Sequence, residues 1–191
     1  MRNSGLASLA IYYYDFREDR KKDLRGLLSS ILFQLCDQSD SYYDILSCFY
    51  STHRNGAQSP GDDELSQCLK DLLRTPGQAP VYLIIDALDE CPTTSATPSP
   101  REELLKLVGQ LIESRHTNMR ICVTSRPETD IKAVLEPLAF HSISIHDQSG
   151  QMQDIENYIR SVVNSDPKNR RWKQEDKQLV VDVLTERADG M

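Results

Sequence analysis

With 191 residues, 39% of them hydrophobic and 27% charged, the chain has the composition of a soluble globular protein. Its length suits one ordinary domain, or a domain with a short appendage. A formal net charge of −7 argues against a nucleic-acid surface, which is normally basic, and no apolar segment approaches the roughly 20 residues that span a bilayer. Neither nucleic acid nor membrane is an expected partner.

In chain order, LASLAIYYY (6–14) is rich in β-formers and predicts a strand ending at the charged run DFREDRKK. Leu24, Leu27, Leu28, Ile31 and Leu35 then recur at helical spacing, and YYDILSCFYSTHR continues helically to the turn-rich RNGAQSPGDD. Leu65, Cys68, Leu69, Leu72 and Leu73 predict an amphipathic helix closed by Thr75-Pro76-Gly77. VYLII (81–85) reads as a buried strand, TTSATPSP as a surface loop, and Leu104, Leu105, Val108, Leu111 and Ile112 as a further helix. MRICVTS (119–125) predicts a strand that stops at Arg126-Pro127, followed by a short helix carrying Ile131, Val134 and Leu135. FHSISIH (140–146) alternates strictly and predicts a fourth strand. Beyond it, Met152, Ile155, Ile159 and Val162 line one helix face. The turn-like DPKNRRWK then leads to a last helix from Glu175 to about Arg187.

Alternating strands and helices imply an α/β fold of three layers, a parallel sheet sandwiched by helices. The near-continuous apolar runs VYLII and RICV fit strands buried on both faces. The expected division is an α/β core over 1–147 and a helical segment over 148–191. Tyr12, Tyr13, Tyr14, Tyr42 and Tyr43 read as core or helix-face residues, and His53 and His116 as solvated turns. His141 and His146 would face opposite sides of a strand, which speaks against a metal pair. The five cysteines are odd in number, widely spaced and without a C-x-x-C. They read as reduced small hydrophobes of a cytoplasmic protein.

Ligand chemistry in such folds gathers at the carboxyl ends of the strands. There VYLII opens onto Asp86, Asp89 and Glu90. A carboxylate directly after the strand suits Mg²⁺, and one in the loop suits orientation of a water attacking a phosphoryl group. The plainer reading is an acidic turn that caps the next element. Arg126, with Ser125, ends the next strand, where an arginine can neutralise a terminal phosphate. The alternative is a loop arginine paired with Asp89, Glu90 or Glu128.

VYLIIDALDEC followed by RICVTSRPE resembles the Walker B and sensor 1 strands of NACHT domains, members of the STAND class of P-loop NTPases. From YYYDFREDRKKDLRGLLSSILFQLCDQS to LTERADGM the chain is similar to the fungal NACHT-type module, also grouped as nephrocystin-3-like N-terminal. The resemblance implies Asp86 as the magnesium-associated acid, Asp89 or Glu90 as the water-positioning residue, and Arg126 as a contact to the terminal phosphate. It implies Mg²⁺ with ATP or GTP as cofactor in an intact module. The partners it implies are other protein chains or downstream repeat domains of an intracellular signalling or immune-like receptor.

The departure is large. None of the eight glycines begins the Walker A pattern G-x-x-x-x-G-K-[ST], whose amides and lysine hold the phosphates. The chain is therefore expected to start after that loop, to lack the Walker A strand, and to bind no nucleotide tightly alone. In the family order 5-1-4-3-2, the strands at 6–14, 81–85 and 119–124 are strands 2, 3 and 4 and stay adjacent. The strand at 140–145 loses its neighbour. Two other readings stand beside this one: a non-catalytic interaction or oligomerisation module on the same fold, and a generic α/β domain with acidic turns.

Overall fold

The computed structural model describes residues 6–15, 17, 23–114, 118–144 and 150–188. The chain forms two compact units, Met1–Ala139 and Phe140–Met191. In the first, β1 (Ser8–Tyr13), α1 (Leu24–Cys36), α2 (Asp40–Thr52) and α3 (Asp62–Leu73) precede β2 (Val81–Asp86). Then come α4 (Pro100–Glu113), β3 (Met119–Val123) and α5 (Thr129–Leu135). Helix starts follow local chemistry. The Asp23 carboxylate accepts the Gly26 N–H at 2.8 Å to open α1. Ser99 and Glu102 form a reciprocal capping box at α4, with Pro100 in the first turn, where its missing N–H needs no partner.

The three strands are parallel in the order β1-β2-β3, with Ser8 opposite Val81 and Val81 opposite Met119. This is the adjacency expected for the three strands. The register places Ser8, Ala10 and Tyr12 on one face with Val81, Leu83 and Ile85, and with Met119, Ile121 and Val123. That face is closed by Leu27, Leu28 and Ile31 of α1, Leu69 and Leu72 of α3, and Leu104 and Val108 of α4, which share one core with it.

The opposite face departs from expectation. Ile11 is 44%, Tyr13 50% and Tyr82 43% exposed, and Ile84 is only half-buried. The described residues of the first unit therefore form two layers, helices against one sheet face, and no third layer is among them. Apolar runs on β1 and β2 cannot distinguish a face that is covered from one that is merely apolar. The predicted fourth strand also differs: 140–144 lies outside any strand, with Phe140 93% and Ile143 75% exposed, while Ile145 and His146 lie outside the described residues. Alternation supplies a strand with a face but not with a neighbour, and its backbone groups need one.

His53 is not a solvated turn residue. It ends α2 with 8% exposure, its Nδ1 2.8 Å from the Phe49 carbonyl and its Nε2 3.3 Å from Glu64 Oε1. His116 lies outside the described residues. Two acceptors around one ring favour imidazolium: the Phe49 carbonyl raises the His53 pKa above 6.5, burial opposes it, and Glu64 adds to the rise. The Gly61 N–H, donated at 2.7 Å, and then His53 lower that of Glu64 below 4.5. A raised histidine pKa gives stability that is complete below about 6.5 and lost as pH rises through the folded value. A lowered glutamate pKa gives stability present above about 4.5 and lost as pH falls. Denaturation of the native chain and of His53→Gln is therefore expected to show a larger stability gap near pH 5.5 than at pH 8.5. A gap independent of pH would mean that the ring is held neutral.

Cys36, Cys68 and Cys91 are buried as expected, and burial pushes each thiol up to about 11; Cys48 and Cys122 are exposed. The tyrosines divide likewise: Tyr12, Tyr14 and Tyr42 are buried, while Tyr13 and Tyr43 are exposed.

In the second unit, α6 (Gln151–Ser165) and α7 (Gln174–Ala188) pack on each other, with Val163 and Val181 buried. Arg160 joins them, donating to Gln178 at 2.8 Å and to Glu156 at 2.6 Å. Of the apolar face read along α6, Ile155 and Ile159 are half-buried, while Met152 is 48% and Val162 45% exposed. Among the described residues no helix is long and apolar enough to cross a membrane.

Candidate functional site

The parallel register sets Ile85 opposite Val123, so the chain leaves β2 and β3 side by side. Thr124 then binds β2 and the loop after it in three ways. Its N–H donates to the Ile85 carbonyl at 3.0 Å, its carbonyl accepts the Leu88 N–H at 3.0 Å, and its hydroxyl oxygen accepts the Ala87 N–H at 3.1 Å. The same hydroxyl donates a short hydrogen bond to Asp86 Oδ1. Asp86 is thus an exposed carboxylate at the end of the central strand, oriented by a fixed donor.

After Asp86 the backbone turns sharply. Ala87 takes the left-handed conformation, φ 54° and ψ 47°, which a residue with a Cβ adopts at a cost of about 1–2 kcal/mol. A short 3-10 turn, Leu88–Glu90, follows, with Leu88 fully buried beneath it. The turn brings Asp89 against the β3 loop. Its Oδ1 accepts the Arg126 N–H at 3.0 Å, and its Oδ2 lies 3.6 Å from the Arg126 Nε. Asp89 is 11% exposed, whereas the Arg126 side chain is 81% exposed.

Three of the residues singled out in the sequence, Asp86, Asp89 and Arg126, therefore meet at one sheet edge in two arrangements. Asp86 is held by Thr124, and Asp89 by Arg126, which is one of the loop pairings considered for that arginine. Ser125 is exposed, its hydroxyl donating at 2.8 Å to the Arg126 carbonyl. Glu90 is half-buried at the end of the same turn.

Two side chains that shape this edge escaped sequence reading. One is Thr124. The other is Arg101, whose side chain is 11% exposed; it donates to the Cys91 carbonyl at 2.9 Å, to the Asp89 carbonyl at 2.6 Å and to Asp130 at 3.3 Å. Its sequence signal was its place: a cation in the first turn of α4 opposes the helix dipole and so wants a partner elsewhere in the fold.

Among the described residues no group of three or more His, Cys, Asp or Glu is placed to hold a metal ion. Magnesium does not require such a cage, since it keeps waters and takes one or two carboxylates together with substrate phosphates. Asp86 fits that role, being exposed and oriented. A phosphate cradle is harder to place. Gly56 and Gly61 have the glycine spacing of a phosphate loop and lead into α3, but Asp62 and Asp63 stand where lysine and a hydroxyl residue are needed. The Gly61 N–H is taken by Glu64, and Arg25 is spent on Pro60, Ser59 and Asp62. That helix start is already saturated with carboxylates and repels an anion.

The fold and edge define an α/β protein whose parallel sheet presents oriented acidic side chains, with an arginine beside them, at its carboxyl end. Within that class, the nephrocystin 3, N-terminal family matches residues 1–126 of the 191, and the chain belongs to this family. No curated protein and no solved structure matches the chain.

Proposed function

We propose that the carboxyl edge of β2 and β3 is the metal- and water-handling half of a NACHT-type nucleotide site. It would act within a cytoplasmic signalling or immune-like receptor whose activity requires a Walker A segment. The observation that carries this reading is the exposed Asp86 carboxylate, oriented by Thr124 at the end of the central strand. Mg²⁺ bound there would neutralise phosphate charge. Glu90 then stands in the loop as the residue to orient an attacking water. Asp89, with both oxygens turned to Arg126, serves instead to position the arginine loop. A guanidinium 81% exposed and 3.6 Å from its carboxylate is weakly held, so a terminal phosphate can compete for it.

A non-catalytic interaction module is the alternative, favoured by the uncovered sheet face with Ile11, Tyr13 and Tyr82. Calorimetric titration with Mg-ATP and Mg-GTP separates the two. The chain alone is expected to bind neither at micromolar concentration. The chain carrying an appended G-x-x-x-x-G-K-[ST] strand–loop–helix unit is expected to bind, with Asp86→Asn weakening Mg²⁺-dependent binding about 100-fold or more. Micromolar binding by the chain alone would overturn the need for the cradle. Failure of a folded, extended chain to bind would leave the interaction module.

A further inference from the structure

β1 lies at an edge of the sheet, and its sequence is a hazard there. SLAIYY has no charge and no proline and is rich in β-formers, the composition of a strand that pairs with copies of itself. Ser8 and Tyr14 donate inward, to the carbonyls of Pro80 just before β2 and of Asp86 at its end, at 2.8 and 3.0 Å. Leu9 and Ile11 therefore turn their N–H and C=O groups outward, where a second strand would attach.

Both residues are already paired, and not by a strand. Gln38 Oε1 accepts the Leu9 N–H at 2.9 Å, and Gln38 Nε2 donates to the Leu9 carbonyl at 2.9 Å. Gln34 repeats the pattern on Ile11, accepting at 3.1 Å and donating at 2.8 Å. A primary amide offers the donor and acceptor of a peptide group, so each glutamine reproduces one rung of a β-ladder. The spacing fits as well. Four residues of helix rise about 6 Å and two strand residues span about 6.6 Å, so Gln34 in α1 and Gln38 in the turn that continues it meet alternate residues of the strand. Each amide is further fixed, Gln34 donating to Ser30 Oγ at 3.0 Å and Gln38 to the Gln34 carbonyl.

We propose that Gln34 and Gln38 form a side-chain strand that closes the β1 edge against pairing with a second copy of this chain. The device is independent of the nucleotide reading, because neither glutamine belongs to the carboxyl-edge site.

Residue-resolved hydrogen exchange and sedimentation on the same samples test it. Gln38→Ala is expected to speed exchange at Leu9 about tenfold, the value of one hydrogen bond, while leaving Ile11 unchanged; Gln34→Ala is expected to do the reverse. The double variant is expected to self-associate beyond the native chain, with Leu83 and Ile85 still protected. Faster exchange without added association would make the glutamines structural partners only and overturn the proposal. So would unchanged exchange at Leu9 and Ile11. If the double variant does not fold, Gln38→Glu decides: it keeps the acceptor for the Leu9 N–H but loses the donor to its carbonyl. It is expected to keep the Leu9 amide protected while raising association, and a chain no more associated than the native one would sink the idea.

Discussion

Replacing Arg101 by methionine is expected to lower the unfolding free energy by about 3 kcal/mol and Tm by roughly 6–12 °C. Methionine keeps most of the apolar bulk of the stem but supplies no donors. The Cys91 and Asp89 carbonyls, now at 2.9 and 2.6 Å from the guanidinium, would lose their partner in a place water scarcely reaches, since Cys91 is fully buried. Most of the effect comes from those carbonyls. Asp130 is 47% exposed, so water can replace its share of the ion pair. Urea denaturation measures the difference, and a loss below about 1 kcal/mol would mean that water or a rearranged turn satisfies both carbonyls.

Leu88→Ala is expected to destabilise the chain by a similar amount, about 3 kcal/mol, by a different mechanism. Leu88 is fully buried within the main core, directly after the strained Ala87, and its removal leaves a cavity under the acidic turn. Arg101 holds the turn through its carbonyls and Leu88 holds it from the core. Because they anchor one short segment, the double variant should depart from additivity by about 0.5 kcal/mol or more. Independent effects in denaturation would show that the turn is not one unit. In the nucleotide reading both variants also displace Asp89 and Glu90, so stability and site geometry are coupled at Leu88–Cys91.

Much of the first unit was legible from residue periodicity. The helix at Leu24 to Leu35, the helix at Leu65 to Leu73, and the strands beginning at Val81 and Met119 all appear where their patterns placed them. These segments carry their own signal, an apolar stripe of fixed period bounded by polar or turn residues. The approach of Asp86, Asp89 and Arg126 to one sheet edge was also legible, because parallel neighbouring strands must end on the same side. What each side chain does there was not. Arg126 had several carboxylates within reach along the chain, and only the 3-10 turn at Leu88–Glu90 selected Asp89.

By itself the sequence marked most of the helices, the three strands of the sheet and their parallel sense, and the clustering of acids and an arginine at one edge; the order of the strands was what the family resemblance implied. All but the order follow from local period and from the direction of the chain. Only the tertiary structure decided that Ile11, Tyr13 and Tyr82 are exposed on one sheet face, that 140–144 joins no strand, that His53 is buried against Glu64, and that two glutamines of α1 and its following turn pair with β1. Each of these depends on whether a partner distant in the chain arrives. The partners of the glutamines lie 29 and 23 residues away, and no periodicity within a segment records them.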